Sequence, residues 1–200
     1  MGSPKLLLEI DGKTIIRRVV DTALASLVFE IVVVLGQYAT EIEREVPLGA
    51  RVRTTFNSGH LEGPHSSLRV GLAALDESTE AAIVLLGDQP SISRGVIDSL
   101  IEAHQTYRAP LVVPVYQGKR GHPILFDRTL FPELISASEN EGRRSVVARH
   151  LESATLVQLA TAPPMDVDTP GDYRRLKMET DKFIADRKER PRETAGNEKV

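Results

Sequence analysis

Two kinds of apolar run alternate along this chain, and together they outline its elements. The first kind is short and nearly unbroken. Phe29–Leu35 (FEIVVVL) and Ala81–Leu86 (AAIVLL) are closed by Gly36 and by Gly87-Asp88-Gln89-Pro90. Such runs predict strands buried on both faces, the habit of parallel sheets. Leu111–Tyr116, Ile124–Phe126 and Thr155–Leu159 predict further strands, and Arg51–Phe56 alternates like a more exposed strand at a sheet edge. The second kind has helical spacing. Ile15, Ile16, Val19, Val20, Ala23 and Leu24 share one face of a helix opened by Thr14, and Val96, Leu100 and Ile101 mark another over Ser93–Thr106. Shorter helices are expected over Thr40–Val46, Leu68–Leu75 and Gly142–His150. Pro170 suits the first turn of a final helix, with Asp172 favourable near its N-terminus. Strands alternating with helices predict one α/β domain over residues 1–184, built on a doubly wound, mostly parallel sheet. Residues 185–200, dominated by charge, are expected to form a disordered tail.

Composition narrows the partners more than the fold. The 200 residues are 41% hydrophobic and 26% charged, with a net charge of −3 and no basic block. Neither nucleic acid nor an anionic membrane is implied. No apolar run approaches the ~20 residues of a spanning helix, and the opening Met-Gly-Ser-Pro-Lys has no long apolar region of the signal-peptide kind. Cysteine is absent, which excludes disulfides, Fe–S clusters and thiolate zinc, and fits a reducing, cytoplasmic setting.

The candidate chemistry lies in loops after strands, where open α/β sheets bind their ligands. Asp88 and Asp168 each follow a strand at what should be one sheet edge. Two converging carboxylates suit Mg²⁺, which takes one or two protein carboxylates and fills its octahedron with water and phosphate oxygens. Each also has a plain structural use: Asp88 in an Asx-turn, Asp168 or Thr169 as a helix cap. His65 and His122 lack partners at zinc-ligand spacing. Neither a nucleophile elbow, a G-x-G-x-x-G nor a P-loop is present.

MGSPKLLL, GDQPSI, RGHPILF and DVDTPGDY occur in this order over about Met1–Leu176. As an ordered set they resemble the molybdenum cofactor nucleotidyltransferases, and the GDQP and RGHP pair is most similar to the cytidylyltransferase branch. The resemblance implies a Rossmann-like fold of the nucleotide-diphospho-sugar transferase kind. It implies Mg²⁺ held by Asp88 and Asp168, and Lys5 on a phosphate. It also implies a nucleotide contacting Gly63, Ser66, Ser67, Leu68 and Gly87, and an acceptor facing Arg120, Gly121, His122 and Pro123. Lys5 is equally a candidate surface lysine, and His122 a candidate for holding its own loop by hydrogen bonds. The implied reaction joins a nucleoside triphosphate, CTP ahead of GTP, to molybdopterin with release of pyrophosphate. Two alternatives stand beside it. One is transfer to another phosphorylated acceptor; the other is a non-catalytic protein delivering cofactor to a molybdenum hydroxylase.

One departure shapes the expected sheet. The family signature begins with a strand and a glycine-rich loop, L-A-A-G-x-S-x-R-M-G, and this chain opens on its last two letters. The resemblance therefore implies that the first central strand is missing and that the Phe29–Leu35 and Ala81–Leu86 strands flank a gap. A chain so shortened is expected to be inactive.

Overall fold

The chain enters through a 3₁₀ turn at Lys5–Leu7 and a hairpin of two short strands, β1 (Glu9–Ile10) and β2 (Lys13–Thr14). Asp11 and Gly12 turn it, both at positive φ, the left-handed geometry that an Asp-Gly pair tolerates in a tight hairpin. Thr14 then caps α1 (Ile15–Leu24), its hydroxyl accepting from the Arg17 N–H, and the apolar stripe read from the sequence is buried except for Leu24, which is half-buried. The computed structural model describes residues 4–137 and 142–189, with side chains described up to residue 183.

Two sheets follow. β3 (Ile31–Leu35), α2 (Ala39–Glu45) and β4 (Val52–Phe56) form a parallel pair with its crossover helix. α3 (Pro64–Ala73) leads to β5 (Ala81–Val84), and α4 (Arg94–Tyr107), capped by Ser93, leads to β6 (Leu111–Tyr116). β7 (Lys119–Arg120) and β8 (Ile124–Asp127) turn back against β6. α5 (Phe131–Ser136), α6 (Gly142–Arg149), β9 (Thr155–Leu159) and α7 (Pro170–Glu189) complete the described chain. The larger sheet is mixed. β8 lies between β5 and β6 and runs antiparallel to both, while β9 pairs with β6 in parallel. Thus β5, β6 and β9 point the same way, and their carboxyl ends share one edge.

β6 shows why its sequence has no polar break: all six of its residues are buried. Leu111 and Val113, with Ile124 and Phe126 of β8, pack against α3, α5 and α6. Val112 and Leu125 face the other way, onto Leu100 and Ile101 of α4. Helices cover both faces, as a doubly wound sheet requires.

Several expectations need correction. Phe29 is 85% exposed and precedes the strand, which starts at Ile31. The strand runs of β3 and β5 are half-buried rather than buried on both faces. β3 pairs only with β4, and β5 only with β8, so each keeps an edge with no ladder partner among the described residues. β3 and β5 thus belong to separate sheets, with no ladder between them among the described residues. α3 starts at Pro64 and not Leu68, because proline at the first helical position needs no N–H partner. α5 was not anticipated. α7 reaches Glu189, into the segment expected as tail; residues 190–200 lie outside the described residues. Among the described residues no helix is long and apolar enough to cross a membrane.

The unpaired edges carry a measurable consequence. Amides of Ile31–Leu35 and Ala81–Val84 that point to the free edge should exchange roughly 10²-fold faster, or more, than those of Leu111–Tyr116, since local opening there breaks few contacts. Hydrogen exchange read residue by residue checks this; uniform protection across the three strands would overturn it.

Candidate active site

Three loops meet at the carboxyl edge of the larger sheet. After β5 the chain turns sharply, with Gln89 N–H donating to the Leu86 carbonyl at 3.2 Å. After β9 it returns in extended form through Asp166-Val167-Asp168. The Val167 N–H donates to the Asp88 carbonyl at 3.0 Å, which locks the two segments side by side. The Val167 side chain is fully buried with Ile10, Ile15 and Leu176. In an extended chain its two neighbours must then face the opposite way, toward the site. Asp166 accepts from the Gln89 amide at 2.8 Å. Asp168 accepts from Lys5.

Lys5 is the hub. Its Nζ donates to Asp88 Oδ2 at 2.6 Å and to Asp168 Oδ1 at 2.8 Å, across 83 and 163 residues of sequence. Burial opposes the ammonium charge, but the hydrogen bonds and charges of Asp168 and Asp88 outweigh it and hold the Lys5 pKa above the ordinary lysine value. The plain structural uses of the two aspartates fall elsewhere. The Thr169 N–H and hydroxyl both donate to Asp172 Oδ2, and the Asp172 N–H donates back to Thr169 Oγ1. That reciprocal cap starts α7 and leaves Asp168 free for Lys5. The Asp88 carboxylate accepts no backbone N–H among the described residues.

Two carboxylates converging on one point form an all-oxygen donor set, the kind a hard divalent cation prefers. Among the described residues no cluster of three or more His, Cys, Asp or Glu could hold a metal by itself. Asp88 and Asp168 therefore fit a cation that takes its remaining ligands from water and phosphate, at the point the Lys5 ammonium now occupies.

The Asn57–Leu68 loop is organised by Asn57, which no motif singled out. Its side chain is buried; Nδ2 donates to Ser66 Oγ at 2.8 Å and Ser67 Oγ at 3.0 Å, and Oδ1 accepts from the Gly59 N–H at 3.0 Å. Ser66 is buried and also reaches the Gly59 and Gly63 carbonyls. Leu68 packs against the main core. Both serines are thus tied to Asn57 and the Leu68 side chain to the core, so the protein itself fixes the shape of the loop on which Gly63, Ser66, Ser67 and Leu68 were expected to meet a nucleotide. Gly63 stands at φ +108°, a conformation L side chains rarely adopt, and starts α3. His65 is buried and neither ring nitrogen has a hydrogen-bond partner among the described residues.

The Arg120–Pro123 loop is fastened to β6. The Gly121 N–H donates to the Pro114 carbonyl at 3.0 Å, and the Tyr116 hydroxyl donates to the His122 carbonyl at 2.6 Å. A Cβ on Gly121 would stand 2.9 Å from the Tyr116 ring, which explains the glycine. Pro123 is buried behind a cis bond, and Arg120 is exposed on β7. His122 Nε2 accepts from the Arg143 guanidinium at 3.1 Å. Burial first, then the charges of Arg143 and Arg144, lower the His122 pKa to about 4 against the opposing pull of Asp166. The ring is neutral at neutral pH.

Residues 1–154 match the family described as MobA-like NTP transferase domain. The nicotine blue oxidoreductase of Paenarthrobacter nicotinovorans is 28% identical over 187 residues, covering 86% of this chain and 87% of that one. Among solved structures, a homologue of Mycobacterium tuberculosis Rv0371c from Mycobacterium sp. strain JC1 superposes with a TM-score of 0.79 at 28% identity, over 92% of this chain and 91% of that chain. Rv0371c of Mycobacterium tuberculosis H37Rv, in complex with manganese, gives 0.75 at 28% identity, over 88% and 93%.

Proposed function

We propose that this chain, which belongs to the MobA-like NTP transferase domain family, is a nucleotidyltransferase that joins CTP, in preference to GTP, to the phosphate of molybdopterin and releases pyrophosphate. The observation that carries the reading is Lys5 Nζ bridging Asp88 and Asp168 at one sheet edge. The acceptor preference rests on the ordered motifs alone, and the cytidine preference on the pairing of GDQP with RGHP.

The reaction needs in-line placement and neutralised charge more than covalent help. A divalent cation held by Asp88 and Asp168 supplies part of that neutralisation at the triphosphate, and manganese in the Rv0371c complex supports such a metal here. Lys5 is poised to exchange one carboxylate for a phosphate oxygen, staying charged throughout because its pKa is raised. Gln89 and Asp166 brace the two aspartates by linking their loops. The His122 loop, pinned by Tyr116, receives the acceptor; its neutral ring adds no charge of its own. Phosphate oxygen of the acceptor attacks the α-phosphorus, its bond to the bridging oxygen breaks, and pyrophosphate carries away the electron pair.

A radiolabelled transfer assay with molybdopterin, Mg²⁺ and either CTP or GTP tests this. CTP should give labelled product with kcat/KM roughly 10²-fold above GTP, the upper end of what one buried polar group left unpaired costs. Preference for GTP would overturn the cytidylyl assignment. The assay compares this chain with one carrying the L-A-A-G-x-S-x-R-M-G segment upstream, and transfer of neither nucleotide by either would overturn the molybdopterin reading.

A further inference from the structure

Arg143 stands in the first turn of α6, outside the GDQP, RGHP and DVDTPGD motifs. Its single hydrogen-bond partner among the described residues is His122 Nε2, and no carboxylate there lies within ion-pair distance. A guanidinium offers five N–H donors and no acceptor, so most of its capacity is unspent among the described residues. Burial, reinforced by the neighbouring Arg144 charge, depresses its pKa. A half-buried cation facing a neutral ring and a second cation is relieved only by an anion.

The same contact determines the imidazole. Because arginine can only donate, Nε2 must carry the lone pair and Nδ1 the proton. Nδ1 is buried and unpartnered among the described residues, a second unspent donor beside the first. The Tyr116 hydroxyl, bonded to the carbonyl of His122, keeps this residue in place. Asp166, the one anion acting on the ring among the described residues, is itself tied to Gln89. Through that pair the cluster connects to Asp88 and the transfer centre.

We propose that Arg143 seats the anionic group of the acceptor, a phosphate or a carboxylate, and holds His122 beside it as a neutral hydrogen-bond donor that takes no proton. This rests on the reading of the His122 loop as the acceptor side. Arg143 acts as a specificity residue: an acceptor without a negative charge meets a guanidinium with no carboxylate partner among the described residues and binds poorly.

The test is an NMR titration of the His122 ring with inorganic phosphate and, separately, acetate, in the wild-type protein and in Arg143→Gln. Glutamine can still donate to Nε2 but carries no charge. Phosphate should move the wild-type resonances and raise the ring pKa from about 4. In Arg143→Gln its apparent Kd should be roughly tenfold weaker or more, the weight of a charge-assisted contact. Arg143→Lys should recover part of it. A response to acetate alone would make the anion a carboxylate. In the transfer assay, Arg143→Gln should raise the acceptor KM while kcat and the CTP KM hold. Equal phosphate binding in wild type and Arg143→Gln, or a response to neither anion, overturns the proposal even if transfer proceeds. Arg143-dependent phosphate binding without any transfer keeps this anion site and sinks the transfer reading instead.

Discussion

Exchange of Asp88 for Asn should lower nucleotidyl transfer by roughly two to four orders of magnitude, the range seen when one preorganised charge-stabilising group is lost. The fold should survive. Asn is nearly isosteric, its Oδ1 still accepts from Lys5, and the Asp88 carbonyl that receives the Val167 N–H is untouched. Lys5 also keeps Asp168. What disappears is one of the two negative charges that a divalent cation would require. Initial rates at saturating CTP, beside a thermal melt, separate the two effects. A melt unchanged within a few degrees together with turnover within threefold of wild type would remove Asp88 from the machinery.

That aspartate was legible because a strand followed by Gly-Asp-Gln-Pro places a carboxylate at the end of a buried run, and sheet geometry does the rest. The layers were legible for the same reason. Leu111–Tyr116 is apolar at every position, and both of its faces are covered. The same logic failed at Phe29–Leu35 and Ala81–Leu86. An unbroken apolar run records a demand for burial, not whether a partner meets it, and here each strand is paired along one edge among the described residues. The short α5 escaped notice because six residues hold less than two helical turns, too few for a period to emerge.

Within the site, the sequence spoke through motifs and was silent on contacts. Asp166 had a readable signal: in Asp-Val-Asp the apolar residue alternates with two acids, so burying Val167 turns both acids the same way. Asn57 had only the turn propensity of its type, and its role depends on α3 starting early enough to present Ser66 and Ser67. Arg143 had none. Its meaning comes from a histidine 21 residues away, brought near by the packing of α6.

Lys5→Met should produce opposite changes in metal affinity and turnover. In the wild type one ammonium satisfies Asp88 and Asp168 together, so it competes with any cation that needs the same two oxygens. Methionine keeps much of the stem and removes the charge. Two carboxylates left facing each other repel, and a divalent cation becomes their best available partner. Mn²⁺ should therefore bind roughly tenfold tighter or more, the weight of a charge-assisted contact that no longer competes for the two carboxylates. Transfer should nonetheless fall roughly 10²-fold or more, because the triphosphate loses the cation that Lys5 would bring to it. Titration of Mn²⁺ by electron paramagnetic resonance, paired with the CTP transfer assay, reads both quantities on one preparation. Unchanged or weaker Mn²⁺ binding would mean that Lys5 and the metal do not share these carboxylates. Tighter binding with full turnover would keep the shared site and strip Lys5 of its part in transfer.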